Sequence, residues 1–408
     1  MNQLIKNRAF MTLTGADFFE TIGISLFNIG LLLYAKTFEQ ATLLVSVVSV
    51  ATVLPGPLGI VMGRLADLTG HRREWLISTK FIQAGLYLGL AQLINQHNLM
   101  VFTMIILLNI SSDVLGLFSN SLRMPMIQAK VTSNLREQAT GFNQGVTTLM
   151  QMVGQAFGVT LLTMTHDYQL TGLVNALTFL LAGLVLLSGY RSLAVTIQPA
   201  GHQSFKRLVA QAKQVFELSA GVNVVGLLMS ILLMNAVGAS IDAILNLFLL
   251  HMGHRLPLSF SLSVLVLNTV FVTGTILGNL LHTGWFKRLT FRTVELLTLG
   301  VLSGIYVNLL TWQNYWVIIG GMAIAGFGMG QMNPKLYANL MQVADPQQLG
   351  SVTGVLSSLT TISIPAGSMG IVLVYNVVSG PVAYGLSLGL LALAAACLFL
   401  PARTKLSA

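Results

Sequence analysis

From residue 10 to residue 400 the chain alternates between apolar runs of about twenty residues and short polar segments. A helix of ~20 apolar residues is what a ~30 Å hydrocarbon layer requires. Twelve such runs are legible, at approximately 10–34, 41–62, 75–95, 98–121, 138–163, 171–190, 219–249, 257–281, 292–312, 315–335, 350–376 and 381–400. They cannot be core helices of a soluble protein, because too little is left to face water. Only 8% of the 408 residues are charged and 54% are hydrophobic, against ~25% charged in a soluble domain. The expected fold class is an all-α membrane protein with twelve transmembrane helices.

The net charge of +9 would raise nucleic acid as a partner in a soluble protein. Here position matters more than the sum. Basic residues fall in alternate loops: Lys6 and Arg8, then Arg64, Arg72 and Arg73, then Arg123, Lys130 and Arg136. Arg191, Lys206, Arg207 and Lys213 follow the sixth run, and Lys287, Arg288 and Arg292 the eighth. Lys335 ends the tenth, and Arg403 and Lys405 follow the last. The opposite loops hold only Lys36 and Arg255. By the positive-inside rule both termini are expected in the cytoplasm, and no nucleic-acid partner is expected. The four tryptophans (Trp75, Trp285, Trp312 and Trp316) stand near run ends, where indole prefers the lipid–water interface. Cys397 is the only cysteine, which excludes an internal disulfide and a thiolate metal cluster. The first apolar stretch lacks an A-x-A site and is expected to act as its own insertion signal.

The longest connection, 191–218, divides the chain into halves at 1–190 and 219–408. Within it Phe205, Leu208, Val209, Ala212 and Phe216 recur at helical spacing opposite Lys206, Arg207 and Lys213. A helix lying on the membrane surface and a basic linker both fit that pattern. A shift of 209 residues superposes Pro125 on Pro334, Ala129 on Ala338, Gly141 on Gly350, Gly145 on Gly354 and Gly158 on Gly367. Coincidences at one offset indicate two six-helix halves related by duplication, as in many secondary transporters.

Between the second and third runs stands Gly63-Arg64-Leu65-Ala66-Asp67-Leu68-Thr69-Gly70-His71-Arg72-Arg73. It resembles the G-x-L-a-D-r-x-G-r-k-r signature of the major facilitator superfamily, in the loop where that family carries it. Gly63 and Gly70 would allow close backbone approach and a tight turn. Asp67 would cap a helix N-terminus or pair with a cation, and Arg72 and Arg73 would hold the cytoplasmic side. The resemblance implies that this loop latches the halves in the outward-facing state. The second-half counterpart, Gly278 to Arg288, is degenerate, with His282 where Asp67 stands. Asp17 to Tyr34 and Ala41 to Arg73 resemble the macrolide-efflux and siderophore-exporter branch. Two departures bear on proton antiport. The fourth run shows Asn109-Ile110-Ser111-Ser112-Asp113 and no arginine, and the fifth-run antiporter motif survives only as Gly154-Gln155-Ala156-Phe157-Gly158, echoed by Pro365-Ala366-Gly367. The resemblance implies a monomeric, multi-pass carrier of a bacterial plasma membrane. It would export amphipathic drugs or related small molecules by alternating access, driven by proton motive force with no bound cofactor; the alternative is a nutrient importer or lipid flippase of the same superfamily.

An acid at mid-bilayer costs ~2.5–3.5 kcal/mol on insertion scales, so each one requires a reason. Asp17 and Glu20 share a face of the first run, with Asn28 further along. Two carboxylates so close in a low dielectric are not expected both to ionise; the alternative is that they lie near the cytoplasmic end, hydrated or paired with a loop arginine. Asp113 has Asn109 and Asn120 on its face, and Asp242 has Asn235 and Asn246. The resemblance implies that spans one, four and seven line a central cavity. Asn143, Thr147 and Gln151 form a polar stripe leading to the Gly154/Gly158 packing face. The candidate proton and substrate residues are therefore Asp17, Glu20, Asn28, Asn109, Asp113, Asn143, Gln151, Asp242 and Asn246. Glu295 is expected to pair locally with Arg292. His251 and His254 lack a third ligand and read as interface residues rather than a metal pair. No H-E-x-x-H, G-x-S-x-G or Walker A pattern is present, so no enzymatic activity is expected.

Overall fold

The computed structural model describes residues 2–96, 98–199, 223–252, 256–282 and 284–400. After a short turn at Asn2–Ile5, the main helices are α1 (Arg8–Ala35), α2 (Ala41–Val53), α3 (Gly59–Leu68), α4 (Arg72–Leu93), α5 (Leu99–Lys130), α6 (Arg136–Thr165) and α7 (Tyr168–Ser188). The second half contributes α8 (Val224–Met252), α9 (Phe260–Leu280), α10 (Phe291–Leu310), α11 (Tyr315–Val343), α12 (Leu349–Val377) and α13 (Gly380–Cys397). No strand occurs among the described residues.

Polar side chains begin many of these helices by accepting from orphan backbone N–H groups: Asn7 for α1, Asn98 for α5, Asp167 for α7, Ser259 for α9 and Thr290 for α10. The second run is one membrane crossing made of two helices. Pro55 and Pro57 break it, and a 3-10 turn at Gly56–Leu58 joins α2 to α3. Among the described residues, eleven stretches are long and apolar enough to cross a membrane. The twelfth crossing, α4, falls short on hydropathy because Lys80 and Gln83 interrupt it. α5 and α11 run eight or nine residues past the ends expected from hydropathy, to Lys130 and Val343. Each carries the superposable proline, Pro125 or Pro334, inside the helix.

The chain divides into two compact units. Unit 1 comprises residues 1–139, 146–203 and 344–358; unit 2 comprises 140–145, 204–343 and 359–408. Within unit 1, α1 packs on α7, α4 on α7, α4 on α5, and α3 on α5. Within unit 2 the same pattern returns as α8 on α13, α10 on α13, α10 on α11, and α9 on α11. The repeated glycines perform equivalent tasks. A Cβ on Gly158 would strike Leu26 of α1, and one on Gly367 would strike Ala236 of α8. The core of unit 1 is aromatic, with Tyr87 stacked on Phe179 at 5.4 Å and Phe27 edge-on to Tyr87 at 4.9 Å. All four tryptophans are exposed. The surface-helix segment 205–216, His254, Arg255, Arg403 and Lys405 lie outside the described residues.

Candidate functional site

The polar residues of unit 1 converge on the faces of α1, α4 and α5. Asp17 and Glu20 are both buried on α1, and neither is left as a lone acid. Lys80 Nζ, on α4, donates to Glu20 Oε1 at 2.6 Å and to Gln83 Oε1 at 3.1 Å. Arg123, on α5, pairs with Asp17 through Nη1 and with Glu20 Oε2 through Nη2 at 3.3 Å. Lys80 is completely buried, and Arg123 nearly so. Two anions and two cations thus form a neutral cluster in which each charge has a partner. This arrangement offsets the cost of taking charges out of water.

Of the two readings of these acids the structure bears out pairing with an arginine of the cytoplasmic set, Arg123, and adds Lys80 from within the third run. Arg123 lies beyond the apolar run but inside α5, because the helix continues to Lys130. The fourth crossing does carry an arginine, two residues past the point where hydropathy ends it. Lys80 was detectable as a charge within the third run, with Gln83 and Tyr87 on the same helical face.

A second arm of the network runs deeper along α5. Gln83 Nε2 donates to the carbonyl and hydroxyl oxygens of Ser112 at 3.0 and 3.2 Å. Tyr87 Oη donates to Asn109 Oδ1 at 2.9 Å, and Asn109 Nδ2 donates to Asp113 Oδ2 at 3.2 Å. Asp113 is half-buried and has no cation within 4.0 Å among the described residues. It is the one acid of this network without an ionic partner. Asn120 instead serves the cluster, accepting from Arg123 Nη1 at 3.0 Å.

The other candidates sit elsewhere. Asn28 is half-buried on α1, and its Oδ1 has no hydrogen-bond partner among the described residues. Asn143 belongs to unit 2 and is half-buried, whereas Gln151 belongs to unit 1 and is exposed on α6. Asp242 is exposed and Asn246 half-buried on α8 of unit 2. Glu295 is fully buried and accepts from Ser230 Oγ at 2.6 Å; Arg292 lies over the Phe399 ring at 4.6 Å. The expected Arg292–Glu295 pair is thus not formed, because the Glu295 side chain faces α8 within the bundle.

The signature segment is largely helical rather than a loop, with Gly63 and Asp67 in α3 and Arg72 and Arg73 opening α4. Asp67 both caps a helix and pairs with a cation. Its Oδ1 accepts from Gly350 N at 2.9 Å, and its Oδ2 accepts from Ser351 N and Oγ, each at 2.6 Å, at the N-terminus of α12. Arg72, 2% exposed, donates to Asp67 O at 3.2 Å and lies 4.0 Å from its Oδ1. A Cβ on Gly63 would stand 2.2 Å from Gly350 O, so close approach of α3 and α12 requires glycine there. Gly70 does not have the tight-turn role expected of it; its φ is not left-handed, and a Cβ would meet only Pro199 at 3.4 Å. Arg73 anchors a separate group. It donates to Glu74 at 2.7 Å and to Tyr190 Oη at 2.8 Å, and lies over the Tyr190 ring. In unit 2 the degenerate copy keeps the steric half of the device. A Cβ on Gly141 would stand 2.1 Å from Asn279 O and 2.5 Å from the His282 ring.

Membrane-length helices in two units with one repeated packing pattern, and a buried ionic network on one unit's helices, are the architecture of a secondary transporter. The family description of the Major Facilitator Superfamily matches residues 13–368. The chain belongs to that superfamily. No curated protein matches the chain. Among solved structures, it is similar to a bacterial homologue of the iron transporter ferroportin in its outward-facing state, with TM-score 0.74, 12% identity and coverage of 96% of this chain and 98% of that one. It is also similar to the human organic anion transporter MFSD10 (TETRAN), with TM-score 0.71, 16% identity and coverage of 96% and 99%. The proton:xylose symporter XylE gives TM-score 0.67, 14% identity and coverage of 98% and 97%. At these identities the likeness is one of fold.

Proposed function

We propose that this protein is a proton-coupled exporter of amphipathic small molecules, cationic or neutral, with Asp113 as the group that takes either proton or substrate charge. One observation carries the reading. Asp113 is the acid of the unit 1 network that lacks a countercharge, while Asp17 and Glu20 are neutralised by Arg123 and Lys80. A carboxylate in this position gains from binding a proton or an organic cation, but not both at once. Competition of that kind couples the two fluxes. Asn109 and Tyr87 hold the carboxylate in place, and the neutral cluster fixes α1, α4 and α5 around it. The proposed setting is a monomer in a bacterial plasma membrane, with both termini cytoplasmic and no cofactor beyond the proton gradient.

The test is transport in proteoliposomes under an imposed pH gradient, using a panel of lipophilic cations, sugars and lysolipids. Wild type should move lipophilic cations against the proton gradient. Asp113→Asn should retain the fold and lose proton-driven transport. Unchanged coupling in Asp113→Asn refutes the assignment, and proton flux evoked by sugars or lysolipids alone refutes the substrate class.

A further inference from the structure

At one end of unit 2, the ends of α8, α10, α12 and α13 border a cavity of about 420 Å³. Phe248, Tyr375 and Tyr384 border it, together with the imidazole of His251. Tyr375 and Tyr384 are inclined at 57° with centroids 5.9 Å apart, and Phe248 stands edge-on to Tyr384 at 6.5 Å. His251 is held beside Tyr375, with its Nδ1 2.7 Å from Leu247 O and 3.2 Å from Tyr375 Oη. The carbonyl can only accept, so the proton sits on Nδ1. Among the described residues lining the cavity there is no Asp, Glu, Lys or Arg.

Two further features show that this end of the unit is built rather than left over. Gly380 borders the cavity, and a Cβ there would press on Tyr375 Cε2 at 3.1 Å and Tyr384 Oη at 3.3 Å. Gln313, also on the wall, is held in the left-handed region at φ 51°, where a residue with a Cβ is strained. The strain is enforced by the fully buried Asn308. Its carbonyl accepts from Gln313 N at 2.7 Å, and its side chain bonds both the N–H and the carbonyl of Asn314.

We propose that this cavity is a binding subsite for an organic ammonium ion bearing an apolar body. Aromatic rings without a neighbouring carboxylate attract a cation through their negative faces. Among the described lining residues an anion finds no Lys or Arg to pair with. The proposal deepens the export reading, because it names the headgroup chemistry of the compound carried, and it places a second contact for that compound in unit 2.

The probe is benzyltrimethylammonium, compared with its uncharged isostere (2,2-dimethylpropyl)benzene, by equilibrium dialysis against the full-length protein in nanodiscs. The ammonium should bind at least ten-fold more tightly than the isostere. Tyr384→Leu and Gly380→Ala should each weaken ammonium binding ten-fold or more, and Tyr384→Phe should retain it. Gln313→Gly, which relieves the left-handed strain and so preserves the fold, should weaken it several-fold. Equal binding of ammonium and isostere overturns the proposal. So does undiminished ammonium binding in folded Gly380→Ala and Gln313→Gly. Asp113→Asn separates the two readings. Binding kept while proton-driven transport is lost supports both. Binding kept with transport also intact supports this subsite and refutes the coupling role of Asp113. Binding abolished by Asp113→Asn places the ammonium at unit 1 and overturns the subsite.

Discussion

Replacing Lys80 with methionine removes one charge from the unit 1 cluster while nearly preserving side-chain volume. With Nζ 2.6 Å from Glu20 Oε1, the Coulomb attraction is ~6 kcal/mol at an effective dielectric of ~20. Arg123 continues to hold the other carboxylate oxygen at 3.3 Å, which offsets part of the loss. Leaving one member of a buried pair uncompensated costs about 3–5 kcal/mol, and the lower end of that range is expected for Lys80→Met. Glu20→Gln should cost a similar amount, since it strands Lys80. The double variant removes both charges and leaves Arg123 balanced by Asp17. It should lie within about 1–2 kcal/mol of wild type, because the unpaired charge is what costs most. Equilibrium unfolding in SDS/maltoside mixed micelles, followed by far-UV circular dichroism, gives all four corners of the cycle. Strict additivity of the two single substitutions would show that Lys80 and Glu20 are not coupled and would refute the neutral-cluster account.

Asp67→Ala leaves two backbone N–H groups and a serine hydroxyl at the start of α12 without their acceptor. Unsatisfied buried groups cost ~1–3 kcal/mol each, so thermal unfolding should show a loss of about 3 kcal/mol, and a wild-type melting curve would contradict the capping role. Gly63→Ala should destabilise clearly, since its Cβ would meet Gly350 O at 2.2 Å. Gly85→Ala, which meets nothing within 4 Å, should instead stabilise α4 by roughly 0.5–1 kcal/mol through helix propensity; equal effects at the two sites in the same melting assay would exclude the steric account. Glu295→Gln keeps an acceptor for Ser230 and strands no cation within 4.0 Å among the described residues. It should change unfolding free energy by about 1 kcal/mol or less, well below the cost of Glu20→Gln, and an equal or larger cost would point to an ionic partner for Glu295.

The helices were legible because a membrane span is a local property. Hydropathy over ~20 residues, the flanking polar caps and the two prolines of the second run depend on neighbours in sequence. The duplication was legible for a related reason. Glycines that allow two backbones to touch tolerate no larger residue, so Gly141, Gly158, Gly350 and Gly367 recur at one spacing. The signature around Asp67 was readable too, but its partner was not, since Gly350 and Ser351 lie 283 and 284 residues away.

The same locality explains what sequence reading misplaced. Hydropathy ends α5 before Arg123 and counts Lys80 as a defect in the third run. Neither signal reveals that Lys80 reaches Glu20 across 60 residues, or that Arg123 reaches it across 103. Charge pairing in a low dielectric is decided by distances of a few ångströms in three dimensions. Taken alone, the sequence determined an all-helical membrane chain with a duplicated half and a short list of intramembrane acids. Only the tertiary structure decided which of those acids are neutralised and that Asp113 has no countercharge among the described residues. It also decided that Phe248, Tyr375 and Tyr384, on three different helices, border one cavity.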